Sequence, residues 1–369
     1  MAKVSINTKA RRALLGFVSV ATLIAASTAG AVAQDKILLL INGALGDKSF
    51  FDSANRGLET IKETYGDDVE TRVLEIGDDP TGWEPALLEV SEQDWDLIIG
   101  GTFSLSETLG DVAEQYPDKQ YILFDASLPY DGGAYSNVYS IQYKQNEASY
   151  LGGILAAGLL ESGLPEGTGK HLGFLGGMDI PVINDFLVGY VAGAQSFNPD
   201  VKVSVAYAGS FTDAAKGKEL GLAQYRAGVG IGFIAASQAG LGQVSAAKET
   251  NQYVLGVDSD QESIFAESDP ELASRVVSSV LKNVDVSLVR AYELYREGKL
   301  PFGTAENVGL AENAVGLVES GNMAKLASPE TLAAIEAAKA GIASGTIVVP
   351  TGFGMDTAAL NTLRDSVRP

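Results

Sequence analysis

The sequence contains no cysteine and a single histidine, His171, among its 369 residues. Without cysteine the chain has no disulfide bonds, no thiol nucleophile, no thiolate metal site and no lipid-modified cysteine. A single histidine argues against a Ser-His-Asp system and against a histidine-rich metal site. We therefore expect no metal site and no catalysis that depends on cysteine or histidine.

Basic residues are scarce as well. The chain has 26 Lys and Arg against 47 Asp and Glu, and its formal net charge is −21. Proteins bind nucleic acids and anionic membranes through basic surfaces. We expect neither kind of partner, and the acidity is explained well enough by solubility.

Long apolar runs occur only at the amino terminus. Residues 1–33 combine a basic start (MAKVSINTKARR), an apolar stretch (ALLGFVSVATLIAAS) and the small-residue site AVA at 31–33. This order is typical of a secretory signal peptide, and the apolar stretch is short for a membrane anchor. We expect cleavage after Ala33 and export to a Gram-negative periplasm.

Motifs that bind nucleotide phosphates are incomplete. EGTGKH at 166–171 lacks the first Gly of a P-loop and ends in His, and neither GVGIG (228–232) nor AGLGQVSA (239–246) completes a dinucleotide fingerprint. No GxSxG elbow is present. Paired carboxylates, as in GVDSDQ, remain open as a glycosidase-like alternative. We expect a binding protein without a cofactor, and not an enzyme.

Short apolar runs alternate with amphipathic helical stretches in two successive series. The first begins with ILLLI (37–41), and the second begins with HLGFLGGM (171–178) after the break at SIQYKQNEASYLGG. Such alternation predicts two α/β lobes, each a doubly wound parallel sheet with helices on both faces. Ligands of such sheets bind at the carboxyl ends of the strands, so we expect a cleft between the lobes there.

Aromatic residues are found in these loops. Phe50 and Phe51 lie at the start of a predicted helix near 50–65, and Phe211 lies in the AGSFTD loop of the second series. Rings from opposite lobes can sandwich a planar ligand. Because adjacent residues on a helix point in different directions, one of Phe50 and Phe51 is expected to face the cleft and the other the sheet.

Polar residues accompany the rings at the same loops. Asp47, Asp125, Asp213 and Asp258 follow strands, and Ser49 immediately precedes Phe50. Their carboxylates can accept hydrogen bonds from ring N–H groups or sugar hydroxyls. For Asp47 and Asp213 the alternative is that each caps the helix that follows it.

Several segments, in this order and spacing, resemble the basic membrane protein (BMP, PnrA-like) family of ABC-transporter substrate-binding proteins. The resemblance covers nearly all of the chain after residue 33. The segments include GDKSFFDSANRGL (46–58), WDLIIGG (95–101), YPDKQYILFDAS (116–127), GFLGGMDIPVINDFLVGYVAGA (173–194), YAGSFTDAAKGKELG (207–221), VLGVDSDQ (254–261), SSVLKNVD (278–285) and GTIVVPTG (345–352).

The resemblance implies a type I periplasmic-binding-protein fold, with two lobes joined by three crossovers and a ligand trapped by hinge closure. We assign 34–143 and 259–303 to the N-terminal lobe, and 144–258 and 304–369 to the C-terminal lobe. It also implies a small-molecule ligand, in many members a purine nucleoside, and an ABC permease in the inner membrane as partner. We expect a monomer.

The family pattern also implies roles for individual residues. Phe50 and Phe211 are expected to stack on the ligand, and Asp125 to contact the base. Asp258 and Lys282 are expected to hold ribose hydroxyls, although Lys282 could instead be a solvated helix residue. The loop at Gly240 is expected to lie close to the ligand. Asp47, Ser49 and Phe51 are the remaining residues that we expect to bind the ligand.

One residue departs from the family pattern. Nucleoside-binding members usually read SFN where this chain reads SFF, so Phe51 replaces an amide that both donates and accepts hydrogen bonds. The missing bonds would come from Asp52, Asp125 or water, or else the ligand differs. We predict a purine nucleoside or nucleobase. The alternatives are a flavin, a sugar or a modified base, or a sensory role on the same scaffold.

Overall fold

A computed structural model describes residues 34–166 and 169–369. The predicted signal peptide, residues 1–33, lies outside the described residues. In the part of the chain that is described, no helix is both long and apolar enough to cross a bilayer.

The strands form at the short apolar runs. In chain order they are β1 (Asp35–Ile41), β2 (Val69–Glu75), β3 (Leu97–Gly101), β4 (Gln120–Phe124), β5 (Val138–Tyr143), β6 (His171–Gly176), β7 (Val203–Tyr207), β8 (Val229–Ala235), β9 (Tyr253–Asp258), β10 (Val276–Lys282), β11 (Thr304–Val308) and β12 (Val315–Leu317).

Helices form most of the connections between these strands. In chain order they are α1 (Phe50–Tyr65), α2 (Trp83–Glu92), α3 (Ser106–Gln115), α4 (Gln145–Glu161), α5 (Pro181–Phe197), α6 (Ala214–Arg226), α7 (Ser237–Thr250), α8 (Gln261–Ala266), α9 (Pro270–Ala273), α10 (Val284–Arg296), α11 (Gly321–Leu326), α12 (Pro329–Ala343) and α13 (Thr357–Ser366).

The strands form two sheets, one in each lobe. The first sheet has the order β11-β5-β4-β3-β1-β2 and is parallel throughout. The second has the order β12-β10-β9-β8-β6-β7 and is parallel except for β12. This architecture confirms the predicted pair of doubly wound α/β lobes.

The antiparallel strand β12 follows from the way the chain crosses between lobes. Leaving the carboxyl end of β11, the chain meets the second sheet at the carboxyl end of β10, where Val315 pairs with Lys282. From there it runs back along β10 and therefore antiparallel to it.

The core explains why the strands are continuously apolar. Residues 37–41 of β1 are at most 1% exposed. Ile37, Leu39 and Ile41 belong to one hydrophobic cluster, while Leu38 and Leu40 belong to a second cluster. Because successive side chains point to opposite faces and helices cover both faces, neither face can be polar.

The described chain crosses between the lobes three times, as the predicted fold requires. The first crossing follows β5, since α4 packs on α5 and β10 in the second lobe. The second follows β10, since α10 packs against α1. The third lies between β11 and β12.

The observed crossings differ from two predicted lobe boundaries. We assigned 259–303 to the N-terminal lobe, but β10 at 276–282 pairs with β9 in the second sheet. We assigned 304–369 to the C-terminal lobe, but β11 at 304–308 pairs with β5 in the first sheet. The short helices α8 and α9 connect β9 to β10, which are parallel neighbours in the second sheet. The composition of the chain does not mark the two later crossings.

Candidate functional site

A cavity of about 280 Å³ lies between the lobes. Its walls come from loops that follow β1, β2, β3 and β4 of the first sheet and β6, β7, β8 and β9 of the second, and from the end of β10. This is the position expected for a ligand of doubly wound sheets. Most of the predicted ligand-binding residues line it, namely Phe50, Phe51, Asp125, Phe211, Asp258 and Lys282.

Phe50 forms part of the core as well as of the cavity wall. Phe50 is the first residue of α1 and is only 9% exposed, and its ring centroid lies 5.5 Å from that of Phe124. The ring of Phe51 meets it edge-on at 5.3 Å. The expected division holds in part: Phe50 is the ring that packs on the sheet, yet both rings reach the cavity.

Phe51 and Phe211 are half-buried and pack against glycine in their own lobes. A Cβ atom added to Gly43, just after β1, would lie 2.4 Å from Cε2 of Phe51. A Cβ added to Gly177, just after β6, would lie 2.3 Å from Cδ1 of Phe211. Each ring therefore occupies space that a side chain would otherwise fill.

Lys282 and Asp125 form an ion pair between the lobes. Lys282 ends β10 of the second sheet and donates from Nζ to Oδ1 of Asp125, which follows β4 of the first, over 2.6 Å. Their side chains are 2% and 8% exposed. The rings of Phe50, Tyr143 and Phe186 surround the ammonium group, with centroids at 4.8–5.6 Å. Lys282 is thus a buried strand residue, and the solvated-helix alternative is wrong.

Asp258 is the second cavity carboxylate. It ends β9 with a φ of 62°, and Ser49 Oγ donates to its Oδ2 from the other lobe over 2.5 Å. Burial raises the pKa of the Asp258 carboxyl to about 7. The charge of Lys282 and the hydrogen bond from Ser49 lower this pKa, while the nearby carboxylates Asp47 and Asp125 raise it. Near neutral pH this group is therefore close to its titration midpoint.

Asp47 and Ser49 do not line the cavity. Both residues are fully buried. Asp47 accepts hydrogen bonds from the backbone N–H groups of Ser49, Phe51 and Asp52 at the start of α1, and from Ser237 Oγ of the second lobe. The helix-capping alternative for Asp47 is therefore correct, and its oxygens face these donors.

Asp213 and Asp52 are also engaged in local structure. Asp213 caps α6 by accepting from the backbone N–H of Lys216, as its alternative proposed. Asp52 accepts from the backbone N–H groups of Gly46 and Lys48. Asp52 does not line the cavity, so it does not replace the amide that Phe51 lacks.

Gly240 lies outside the cavity wall. It is buried within α7, one turn after the helix begins, and packs against Ile234. Ser237 and Gln238 line the cavity instead. The prediction therefore located a segment that reaches the cavity, but Gly240 itself lies within α7 and does not line the cavity.

Two wall residues that sequence reasoning did not single out join the lobes at the cavity. Thr212 of the second lobe donates from Oγ1 to Oδ2 of Asp78 in the first lobe over 3.1 Å. The two residues lie in the loops after β2 and β7, at the carboxyl ends of strands, where the sequence predicts the cleft. The pairing itself had no sequence signal, because it depends on which loops meet when the lobes come together.

Sequence comparison finds relatives over most of the chain. A family model described as "ABC transporter substrate-binding protein PnrA-like" matches residues 34–351. The chain is 31% identical over 344 residues to the "ABC transporter nucleoside-binding protein BmpA" of Lactococcus lactis subsp. cremoris, covering 88% of this chain and 92% of that protein. It is 30% identical over 295 residues to "Basic membrane protein A" of Borreliella burgdorferi, covering 78% and 80%.

Comparison with solved structures also finds solute-binding proteins of ABC transporters. An ABC transporter solute-binding protein from Aeropyrum pernix K1 matches with a TM-score of 0.78 and 26% identity, over 90% of this chain and 97% of that chain. A second solute-binding protein, from Conexibacter woesei, has a TM-score of 0.65 at 20% identity over 86% and 99%. The second likeness shows the fold alone.

Proposed function

The chain belongs to the PnrA-like family of ABC-transporter substrate-binding proteins, and on this basis we propose that it captures a purine nucleoside or nucleobase between its lobes. The observation that carries the proposal is the meeting of Phe51 and Phe211, from opposite lobes, with the buried carboxylates Asp125 and Asp258 on one cavity. Rings of this kind stack on a flat heterocycle. The carboxylates accept hydrogen bonds from its N–H or hydroxyl groups.

The charge of the cavity favours a ligand without phosphate. Among the described residues of the wall, the one lysine is Lys282, which already pairs with Asp125, and Asp258 adds negative charge as it ionises. An anionic group entering here would be desolvated beside a carboxylate, and no described residue of the wall offers a free cation to balance it. Nucleosides and nucleobases fit this balance better than nucleotides.

The size of the cavity favours a small ligand. Its volume of about 280 Å³ is just below the range of about 300–1,000 Å³ that is usual for ligand pockets. A flavin with its side chain is larger than a purine nucleoside and fits this volume less well. The name of the Lactococcus relative, a nucleoside-binding protein, also supports the purine proposal.

In the proposed mechanism the protein binds without chemical change. Contacts from both lobes favour the closed form when a ligand is present, and the closed protein delivers it to an ABC permease. Substrate-binding proteins of ABC transporters are not enzymes, and we infer the same here. We further propose that the protein acts as a monomer in the periplasm after removal of residues 1–33.

A ligand screen tests the proposal. A ligand that binds only the folded state raises the melting temperature with its concentration. We expect adenosine, guanosine or adenine to raise it, and calorimetry to give one site per chain. A shift with riboflavin or ribose but with no purine would overturn the purine assignment and leave a different solute on the same scaffold. Binding without uptake in a permease-linked transport assay would favour a sensory role.

A further inference from the structure

In each lobe, a cavity ring rests against the glycine that follows the first strand of the sheet. Gly43 follows β1 and contacts the edge of Phe51, while Gly177 follows β6 and contacts the edge of Phe211. Both glycines are buried, and both rings line the cavity. In both lobes, a half-buried ring of the cavity wall thus packs against a glycine.

These contacts leave no room for a side chain. Carbon atoms pack best at about 3.5–4.0 Å, whereas an added Cβ would lie at 2.4 Å from the Phe51 ring and 2.3 Å from the Phe211 ring. An alanine at either position would have to displace the ring by roughly 1 Å. The nearest atoms belong to the end of a side chain, so the ring can move while the backbone stays in place.

The direction of that movement follows from the surroundings. Gly43 and Phe50, which packs edge-on at 5.3 Å, both contact the Phe51 ring, so we expect a displaced Phe51 ring to move into the cavity that it lines. Phe211 has buried Gly177 behind it and the cavity before it. A methyl group at either glycine would therefore push a ring into the space where a flat ligand would lie.

We propose that Gly43 and Gly177 are positioning residues that set the distance between the rings of Phe51 and Phe211, and so select a flat ligand of one aromatic thickness. This inference rests on the proposed function, because the ligand it describes is the purine. A similar contact between Gly101 and Phe124 belongs to the core, since Phe124 is fully buried.

The binding test uses Gly43→Ala and Gly177→Ala, each alone and combined in the same lobe with Phe51→Leu or Phe211→Ala, which remove the nearest ring atoms. Adenosine is the probe, and calorimetry measures its Kd. We expect each alanine alone to weaken adenosine at least about tenfold. In the background without the ring, the same alanine should have little further effect on the adenosine Kd, because the ring atoms nearest to its Cβ are gone.

The matched control is Gly82→Ala, since a Cβ there has no atom within 4 Å and the backbone φ of −89° suits alanine. It should leave the adenosine Kd unchanged. Equal losses for Gly43→Ala with and without Phe51→Leu would overturn the proposal, because the effect would then not pass through the ring. The second lobe gives an independent pair of variants if one single variant does not fold.

A second measurement needs no ligand and separates this inference from the proposed function. Crystal structures of the unliganded wild type and of both alanine variants should show Phe51 or Phe211 displaced toward the cavity. A ring that stays in place while the backbone shifts would overturn the inference. If the wild type binds no purine, the proposed function fails, and the ring positions still decide whether the glycines position the rings.

Discussion

Lys282 and Asp125 are 157 positions apart, belong to different sheets, and meet at 2.6 Å inside the molecule. The pair joins the carboxyl end of β10 to that of β4 across the cavity. Because both side chains are almost fully buried, the loss of either charge would leave the other buried without its partner. The same contact neutralises the lysine that an anionic ligand would need.

Replacing Lys282 should destabilise the protein strongly. Lys282→Met leaves the carboxylate of Asp125 buried without its partner, which typically costs about 3–5 kcal/mol of unfolding free energy. Urea unfolding measures this loss. The double variant Lys282→Met with Asp125→Asn should recover much of the stability, since no buried charge is left unpaired. A double variant as unstable as the single one would contradict the ion-pair account.

The stability of the protein should depend on pH through Asp258. Its pKa is about 7 in the folded protein, against about 3.9 for an ordinary Asp. As pH rises from about 4 to 7, the unfolded chain releases this proton while the folded protein still holds it, so the stabilisation present at low pH is progressively lost.

Asp258→Asn should remove this loss. The stability of the variant relative to the wild type is therefore expected to increase between pH 5 and pH 8, as measured by urea unfolding at each pH. The other buried carboxyls with raised pKa values, Asp47, Asp125 and Asp185, are present in both proteins and largely cancel in the difference. A difference that does not change with pH would rule out the titration of Asp258.

The hydrogen bond from Thr212 to Asp78 should slow ligand release. Thr212→Val removes the donor while keeping the shape of the side chain, and the bond links the two lobes beside the cavity. We expect the dissociation rate of adenosine to rise about two- to tenfold, as for a typical net hydrogen bond. Stopped-flow measurements give the rate. Thr362→Val, on exposed α13, is the control and should leave it unchanged.

Removing the ring of Phe211 should abolish most of the affinity. Burial of a Phe side chain contributes about 1.5–3 kcal/mol, and stacking adds about 0.5–1.5 kcal/mol. Phe211→Ala should therefore weaken adenosine at least about thirtyfold and leave the circular dichroism spectrum unchanged. The matched control is Phe302→Ala, which removes a half-buried ring outside the cavity wall and should leave the adenosine affinity unchanged. Normal binding by Phe211→Ala would disprove the cavity assignment.

A phosphate group on the ligand should weaken binding strongly. Adenosine and AMP share the base and the sugar, so their difference isolates the anionic group. We expect AMP to bind at least about a hundredfold more weakly, because its phosphate would be buried beside carboxylates. Calorimetry with both ligands measures the ratio, and comparable affinities would show that the ionised carboxylates do not control selectivity.

Much of the fold could be predicted from the sequence. Runs such as 37–41 are apolar at every position because helices cover both faces of the strand, and that pattern marks a strand of a parallel sheet. The loops around the cavity could be located for the same reason, since the carboxyl ends of such strands gather at one edge. Compositional signals did not mark where the chain returns between lobes, so β10 and β11 were assigned to the wrong lobes.

Individual side chains were harder to assign than loops. Asp47 and Asp125 both follow strands, yet Asp47 turns to cap α1 while Asp125 meets Lys282. Gly240 was assigned to the ligand, although α7 carries it away from the cavity. The outcome depends on the local backbone direction after each strand, including the positive φ of 63° at Asp125, which the residue types do not specify.

By itself, the sequence determined that two α/β lobes form and which loops surround the cavity between them, because strand periodicity and loop position follow from local apolar patterning. Only the tertiary structure decided that Lys282 pairs with Asp125, that Thr212 pairs with Asp78, and which glycines contact the half-buried rings of the cavity. The glycine–ring contacts form within each lobe, whereas the two polar pairs join residues far apart in the chain and exist only when the two lobes are packed together. Their energies therefore depend on lobe geometry rather than on any local segment.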